Sequence, residues 1–172
     1  MRKVLIADDE VKVGQLVKRL IQWDRLGLTC IGLVTDGQTA YEKILSESPD
    51  IVITDIRMPV LTGLEMIQKA SEQGVKCHFI VVSGYKYFDY AQKALKYGVE
   101  DYLLKPIDED ELNRQLQKIV AEEEQREDKQ QQVDQIEKKL EDSKYLRHKE
   151  FLRQILSQKQ ENIDAANTEF GL

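Results

Sequence analysis

Residues 51–59 read IVITDIRMP, and this stretch decides the fold. Its first four residues are apolar or β-branched at both odd and even positions, which is typical of a parallel strand buried on both faces. Asp55 closes this strand, and Pro59 lies in the loop that follows. In open α/β sheets, ligands bind in the crevice beyond the carboxyl ends of the strands. The stretch therefore predicts a central strand that carries a carboxylate into such a crevice.

Short apolar runs alternate with helical patterns along the first two thirds of the chain. The predicted strands are residues 3–7, 28–34, 51–54, 78–82 and 102–104. The predicted helices are residues 11–23, 37–48, 64–71 and 88–97, and another begins near residue 108. Strict alternation favours a parallel sheet wrapped by helices, with right-handed crossovers. We therefore predict an α/β, flavodoxin-like, three-layer fold of strand order 2-1-3-4-5 over residues 1–120, with a helical extension over residues 121–172.

This strand order brings acids from two strand ends together. Asp8 and Asp9 follow the first strand and Asp55 closes the third, and these strands are neighbours about 5 Å apart. Three clustered carboxylates repel one another, and a divalent cation relieves that repulsion. Oxygen ligands at one open site suit Mg2+, which shares its ligand shell with phosphate oxygens. The sequence therefore predicts a magnesium site at this edge of the sheet.

The same edge carries groups that suit phosphoryl transfer. An aspartate can act as a nucleophile and form an aspartyl phosphate, and in-line transfer needs mainly positioning and charge neutralisation. Ser83, at the end of the fourth strand, offers a hydroxyl donor, and Lys105, at the end of the fifth, offers an ammonium. We predict that Asp55 accepts the phosphoryl group with these two side chains beside it.

Motifs at four strand ends together resemble the receiver domain of two-component response regulators, over roughly residues 1–120. They are Asp8-Asp9, Asp55 with Pro59 and Gly63, Ser83-Gly84, and Tyr102-Leu-Leu-Lys105-Pro106. The resemblance implies that a sensor histidine kinase phosphorylates Asp55. It also implies a cis peptide bond before Pro106, where an X-Pro bond has only about a 5% prior of being cis.

The family resemblance also assigns roles to the residues around the acceptor. It implies that Mg2+ is bound by Asp9, the Asp55 carboxylate and the Arg57 main-chain carbonyl, with Asp8 assisting through water. Ser83 and Lys105 would contact the phosphoryl oxygens. Ser83 and Tyr102 would act as the switch that moves the face formed by the 88–97 helix, the fifth strand and the helix after it.

A narrower resemblance is to the AraC-type, YesN-like regulators. It rests on PDIVITDIRMPVLTGLEMI, on the block from SGY to GVEDYLLKPI, and on Trp23 ahead of Leu26-Gly27-Leu28. Those proteins carry a receiver, a helical linker and a C-terminal pair of helix-turn-helix motifs. We expect this chain to be a fragment that controls transcription through a DNA-binding domain absent here. The alternative is a stand-alone receiver that acts as a phosphorylation-dependent protein-interaction module.

Residues 108–157 form the predicted route to the output and a candidate segment for homodimerisation. Apolar positions at coiled-coil spacing occur at 112, 116 and 119 and again at 133, 136 and 140, with a polar gap between the two sets. A second amphipathic helix is predicted over residues 145–156, and a further one starts near 162. Residues 108–142 contain 13 acids and six bases. That charge is the opposite of a DNA-binding surface, so we expect DNA contact only through the absent domain.

Several other interpretations are weaker. Asp8 and Asp9 alone could cap the first helix. A haloacid-dehalogenase-type phosphatase also uses an aspartate after a strand, but it has a second acid two residues later, where this chain has Arg57. We therefore expect a phosphoacceptor with weak self-dephosphorylation at most, and not an enzyme.

No apolar run approaches about 18 residues, so the sequence predicts a cytoplasmic protein without a membrane segment. Cys30 and Cys77 are expected to be buried free thiols.

Overall fold

A five-stranded parallel sheet forms the centre of the fold. The computed structural model describes residues 1–84 and 99–170, and it gives the side chains there except at 100, 101, 148, 151, 152 and 154–170. The strands are β1 (Arg2–Ala7), β2 (Leu28–Val34), β3 (Ile51–Asp55), β4 (His78–Ser83) and β5 (Val99–Leu104). Their order is β2-β1-β3-β4-β5, and each neighbouring pair is parallel. The predicted fold class and strand order are confirmed.

Helices connect these strands and continue the chain beyond them. They are α1 (Val11–Leu20), α2 (Trp23–Leu26), α3 (Gly37–Glu47), α4 (Gly63–Glu72) and α5 (Glu109–Phe170). The helix predicted over residues 88–97 lies outside the described residues. In the described part of the chain, every helix is too short or too polar to span a bilayer.

The sheet separates two apolar clusters, because successive residues of a strand point to opposite faces. On one face, Val52 and Val81 pack with residues of α3 and α4. On the other face, Ile53 and Ile80 pack with residues of α1, α2 and the beginning of α5. The predicted apolar face of α5 takes part in this second cluster through three buried side chains, Leu112, Leu116 and Ile119. β3 is buried along its whole length, as its sequence predicts.

The single helix predicted over residues 11–23 is wrong, because the chain forms α1 and α2 with a break between them. The buried side chain of Asn113 explains the break. Its Nδ2 donates to the Leu20 carbonyl at 2.8 Å and its Oδ1 accepts the Gln22 N–H at 2.9 Å. These bonds satisfy main-chain groups that a continuous helix would have paired internally.

The separate helices predicted over residues 145–156 and from 162 are also wrong, since α5 is continuous from Glu109 to Phe170. The hydrophobic pattern changes phase along this segment, but no glycine or proline occurs between residues 107 and 170. A phase change moves the apolar face around a helix without ending it, whereas glycine and proline end helices. By compactness the chain divides into two units, residues 1–122 and 123–172.

Both cysteines are free thiols, as expected, but each is half-buried and not fully buried.

Candidate functional site

Three carboxylates converge at the carboxyl edge of the sheet. Ala7, the last residue of β1, pairs with Thr54 of β3, so Asp8 and Asp55 leave adjacent strands at the same level. One ligand oxygen from each of Asp8, Asp9 and Asp55 lies within 4.8 Å of the others. Asp8 and Asp55 are buried, at 2% and 8% exposure, while Asp9 is exposed. The predicted convergence of these acids is therefore present.

Lys105 supplies the positive charge of this cluster. Its Nζ donates to Asp55 Oδ2 at 2.9 Å and to Asp8 Oδ2 at 3.0 Å. Glu10 is more distant, with its Oε1 3.8 Å from the same nitrogen. Register explains this position, because the Lys105 N–H donates to the Ser83 carbonyl and continues the pairing of β5 with β4 beyond the last strand residue. The Lys105–Pro106 bond is cis, as the family resemblance implies.

The electrostatics of the cluster reflect burial and mutual neutralisation. Burial raises the pKa of the Asp8 carboxyl, and the hydrogen bonds from Lys105 and from the Glu10 N–H oppose that rise without cancelling it. Burial alone would lower the pKa of the Lys105 ammonium, but its hydrogen bonds to Asp55 and Asp8 outweigh this and raise it. The ammonium thus remains charged between the two carboxylates.

The other predicted site residues occupy positions around this cluster. Ser83 is fully buried at the end of β4, one residue beyond Val82, which pairs with Asp55. Arg57 follows two residues after Asp55, and its main-chain N–H lies 3.4 Å from Asp55 Oδ1. Tyr102 is half-buried on β5 and packs against the cluster that contains α3 and α4. All of these residues lie at or near the carboxyl edge, as predicted.

The loop after Asp55 contains two features that were not anticipated. Thr62 and Glu65 form a capping box at the start of α4, in which each residue's side chain accepts the other's main-chain N–H. The Thr-x-x-Glu spacing is a recognisable sequence signal for it. Gly37, at the start of α3, also contacts this loop through the Pro59 carbonyl. No local pattern signals that contact, because it joins residues from separate βα units.

The alternative in which Asp8 or Asp9 caps the first helix is wrong. The N-cap residue of α1 is Glu10, and it makes no side-chain capping bond. Asp8 Oδ1 accepts the Glu10 N–H at 2.9 Å, which fixes the carboxylate beside Lys105 instead.

Comparison with known proteins agrees with this geometry. The model of the response regulator receiver domain family matches residues 4–117. The chain belongs to the response regulator receiver family. The chain is 46% identical over 122 residues to the transcriptional regulatory protein YesN of Bacillus subtilis (strain 168). The matched region covers 71% of this chain and 33% of YesN. This similarity confirms the resemblance to the YesN-like group.

Further relatives and solved structures support the same family. The transcriptional regulatory protein HptR of Staphylococcus aureus (strain NCTC 8325 / PS 47) is 35% identical over 120 residues, which are 70% of this chain and 47% of HptR. The receiver domain of AraT from Geobacillus stearothermophilus superposes with a TM-score of 0.69 at 36% identity, covering 73% of this chain and 98% of that one. The chain spans a third to about half the length of these curated relatives.

Proposed function

We propose that this receiver accepts a phosphoryl group on Asp55 from a sensor histidine kinase. The observation that carries the proposal is the contact of Lys105 with both Asp55 and Asp8, at 2.9 and 3.0 Å, in a cluster of three acids. This arrangement presents a buried carboxylate with a fixed cation at its side. Phosphoryl transfer needs that combination of positioning and charge neutralisation more than it needs acid–base chemistry.

The donor set of the cluster fits Mg2+. Carboxylate oxygens are hard ligands, and three of them lie within 4.8 Å of one another. In this proposal Asp8, Asp9, Asp55 and the Arg57 main-chain carbonyl hold the ion, with Asp8 acting through water. When bound, Mg2+ supplies positive charge that offsets the charge of the incoming phosphoryl oxygens.

The remaining chemistry belongs to the chain's own residues. An oxygen of Asp55 attacks the phosphorus atom of the donor, and the donor's imidazole leaves. The Lys105 ammonium moves from the carboxylates to the new phosphoryl oxygens, and the Ser83 hydroxyl donates to one of them. We propose a phosphoacceptor that loses its phosphoryl group slowly and does not act as an enzyme.

Phosphorylation then changes the surface that the receiver presents. The modification adds about −1.5 to −2 charge and strong acceptor oxygens, and Ser83 at the end of β4 moves toward them. We propose that Tyr102 and α5 pass this change to a transcriptional output through a C-terminal DNA-binding domain, and that α5 contributes to a homodimer. The names of YesN and HptR support the transcriptional role. We also propose a cytoplasmic location, where ATP-dependent histidine kinases present their phosphohistidine.

Acetyl phosphate with Mg2+, followed by intact mass measurement, tests the acceptor directly. We expect the full chain to gain one phosphoryl group, and we expect Asp55→Asn to gain none. Asp50→Asn is the matched control, because Asp50 immediately precedes β3, at the opposite end of the strand from Asp55. A phosphoryl group on the Asp55→Asn variant, or none on the parent, would contradict the proposal.

A further inference from the structure

The loop that joins β3 to α4 contains a strained main chain beside the acceptor. Val60 has a φ of +68°, which is unusual for a β-branched residue. The Leu61 N–H donates to the Pro59 carbonyl at 2.8 Å and closes a three-residue turn around Val60. Turns of this kind with a positive central φ are rare and strained.

Burial of the Val60 side chain does not compensate for this strain. It is 83% exposed, whereas Ile56, Met58 and Leu61 of the same loop are buried. Val60 therefore gains little packing energy in exchange for its conformation. Such a conformation persists only where the surrounding structure imposes it, so the cause must lie in the contacts of the loop.

Gly37, at the start of α3, provides the closest of these contacts. Its N–H donates to the Pro59 carbonyl at 3.3 Å. A Cβ at this position would lie 1.8 Å from the Leu61 carbonyl oxygen and 2.7 Å from its carbon. These are main-chain atoms, so they cannot yield by a change of rotamer. The loop lies directly against α3, and only glycine permits this distance.

Gly63 holds the other end of the loop. A Cβ there would lie 2.0 Å from the Asp55 carbonyl oxygen, and the Gly63 N–H donates to the Ile56 carbonyl at 2.9 Å. The residues from 56 to 62 are thus fixed between two glycine contacts. One contact involves the main chain of the acceptor itself.

We propose that Gly37 is a positioning residue for the phosphoacceptor loop, and that the strained turn at Val60 is imposed by its contact. The inference rests on the proposed phosphorylation of Asp55. Through the Pro59 and Leu61 main chain, the start of α3 sets the path of the loop. That path fixes where the Asp55 carboxylate and the Arg57 carbonyl lie relative to Asp8 and Asp9.

Gly37→Ala tests this in the full chain. The added methyl group must displace the Leu61 main chain, so we expect Mg2+ affinity measured by calorimetry, and the rate of phosphorylation by acetyl phosphate, to fall about tenfold, as for residues that orient metal ligands. Amide hydrogen exchange at Leu61 and Gly63 should become faster. Gly14→Ala is the matched control, because the three atoms nearest to its Cβ would be side-chain atoms of Leu33, at 3.0 to 3.3 Å, and not main-chain atoms.

Val60→Gly separates an imposed turn from one that Val60 itself sets. Glycine accepts a positive φ without strain, so we expect a melting temperature no lower than that of the parent, with Mg2+ affinity and phosphorylation unchanged. In the Gly37→Ala background the same change should restore part of the lost affinity, because the loop regains freedom to close. Even where Gly37→Ala fails to fold, Val60→Gly shows whether Val60 itself sets the turn.

Two outcomes would overturn the inference. One is Gly37→Ala with the parent's Mg2+ affinity, phosphorylation rate and amide exchange. The other is Val60→Gly losing Mg2+ affinity about tenfold, which would make Val60 the determinant of the turn. Absence of phosphorylation in the parent would instead contradict the acceptor role of Asp55, and amide exchange at Leu61 and Gly63 would still report on the loop.

Discussion

The Lys105 ammonium lies between Asp55 and Asp8 and acts as their internal counter-ion. Its side chain is 19% exposed, while those of Asp55 and Asp8 are 11% and 3% exposed. Pairs with this degree of burial are screened far less than surface pairs. Removal of the lysine leaves two acids close together with little solvent to separate them.

Lys105→Met should therefore lower stability in a way that Mg2+ repairs. In the presence of a Mg2+ chelator, we expect the free energy of unfolding of the variant to be about 2 kcal/mol lower than that of the parent. This is the usual cost when a buried charged group loses its hydrogen-bond partner. Added Mg2+ should raise the melting temperature of the variant more than that of the parent, since the ion takes over the neutralisation. Thermal melts with chelator and with Mg2+ measure both quantities.

The control is Lys43→Met, which removes an ion pair with Glu47 whose side chains are 33% and 39% exposed. Such pairs contribute about 0–1 kcal/mol, and this one is not part of the acid cluster. Its response to Mg2+ should match that of the parent. An equal Mg2+ response in Lys105→Met would mean that the lysine is not the counter-ion.

The sequence predicts the chemical groups of the site well, because each follows a strand that can be recognised. Asp8, Asp55 and Lys105 each close or follow an apolar run, and the strand order then brings them together. The contact of Gly37 with the Leu61 main chain was not predictable in this way. A glycine before a helix has the same local pattern whether or not a distant loop lies on it.

At the scale of the element, α3 illustrates a start that local sequence determines. Asp36 is its N-cap: Oδ1 accepts the Thr39 N–H at 2.8 Å and Oδ2 accepts the Thr39 hydroxyl at 2.8 Å. Those two hydrogen bonds hold the pKa of the Asp36 carboxyl below its usual range, and the one from the Thr39 main-chain N–H has the larger effect. The Asp-Gly pair at 36–37 predicts this helix start from the sequence.

Asp36→Ala should cost about 1 kcal/mol of stability at pH 7, the usual effect of losing an N-cap. Since the folded pKa of Asp36 is depressed, its ionic contribution is present above the unfolded pKa of about 3.9. It is lost as the pH falls through the folded pKa. The stability gap between parent and Asp36→Ala should therefore narrow in acid, as denaturant titrations at several pH values will measure.

Asp36→Asn separates the cap from its charge. Asparagine caps about as well as aspartate, so this variant should retain most of the stability without the acid-dependent part. A gap between Asp36→Ala and the parent that stays constant from neutral to acidic pH would show that ionisation of Asp36 does not stabilise α3.

The break between α1 and α2 is an element that local sequence does not determine. The periodicity of residues 11–23 continues across it, but Asn113 pairs with Leu20 and Gln22 from more than 90 residues away in the chain. For α5 the prediction fails in the opposite way, because separate helices were predicted where the structure has one continuous helix. There, a change in the apolar face suggested a break, although helix-forming residues continue without interruption.

At the scale of the whole molecule, Val133, Ile136 and Leu140 form an apolar stripe along α5. These side chains are 47%, 58% and 53% exposed in the single chain. A second copy is the occupant that we propose, since the spacing is that of a coiled-coil seam. Burial of the exposed half of each side chain contributes about 1 kcal/mol, or roughly 6 kcal/mol for a pair of chains.

That contribution is close to the cost of association, which is about 4–15 kcal/mol in lost translational and rotational freedom. The stripe alone is also shorter than the three or four heptads that a stable coiled coil needs. We therefore expect the unphosphorylated chain to be mainly monomeric at micromolar concentration. Contacts between phosphorylated receivers would add to the stripe and raise its effective concentration.

Ile136→Glu tests this dependence by placing a charge at the centre of the stripe. In sedimentation experiments, we expect acetyl phosphate and Mg2+ to increase dimer formation by the parent. The variant should dimerise at least about tenfold more weakly, because burying an unpaired carboxylate costs more than 1.4 kcal/mol. Gln135→Glu adds the same charge at an exposed neighbouring position, and it should behave as the parent does. Equal association of Ile136→Glu and Gln135→Glu in the phosphorylated state would exclude the stripe as the contact between copies.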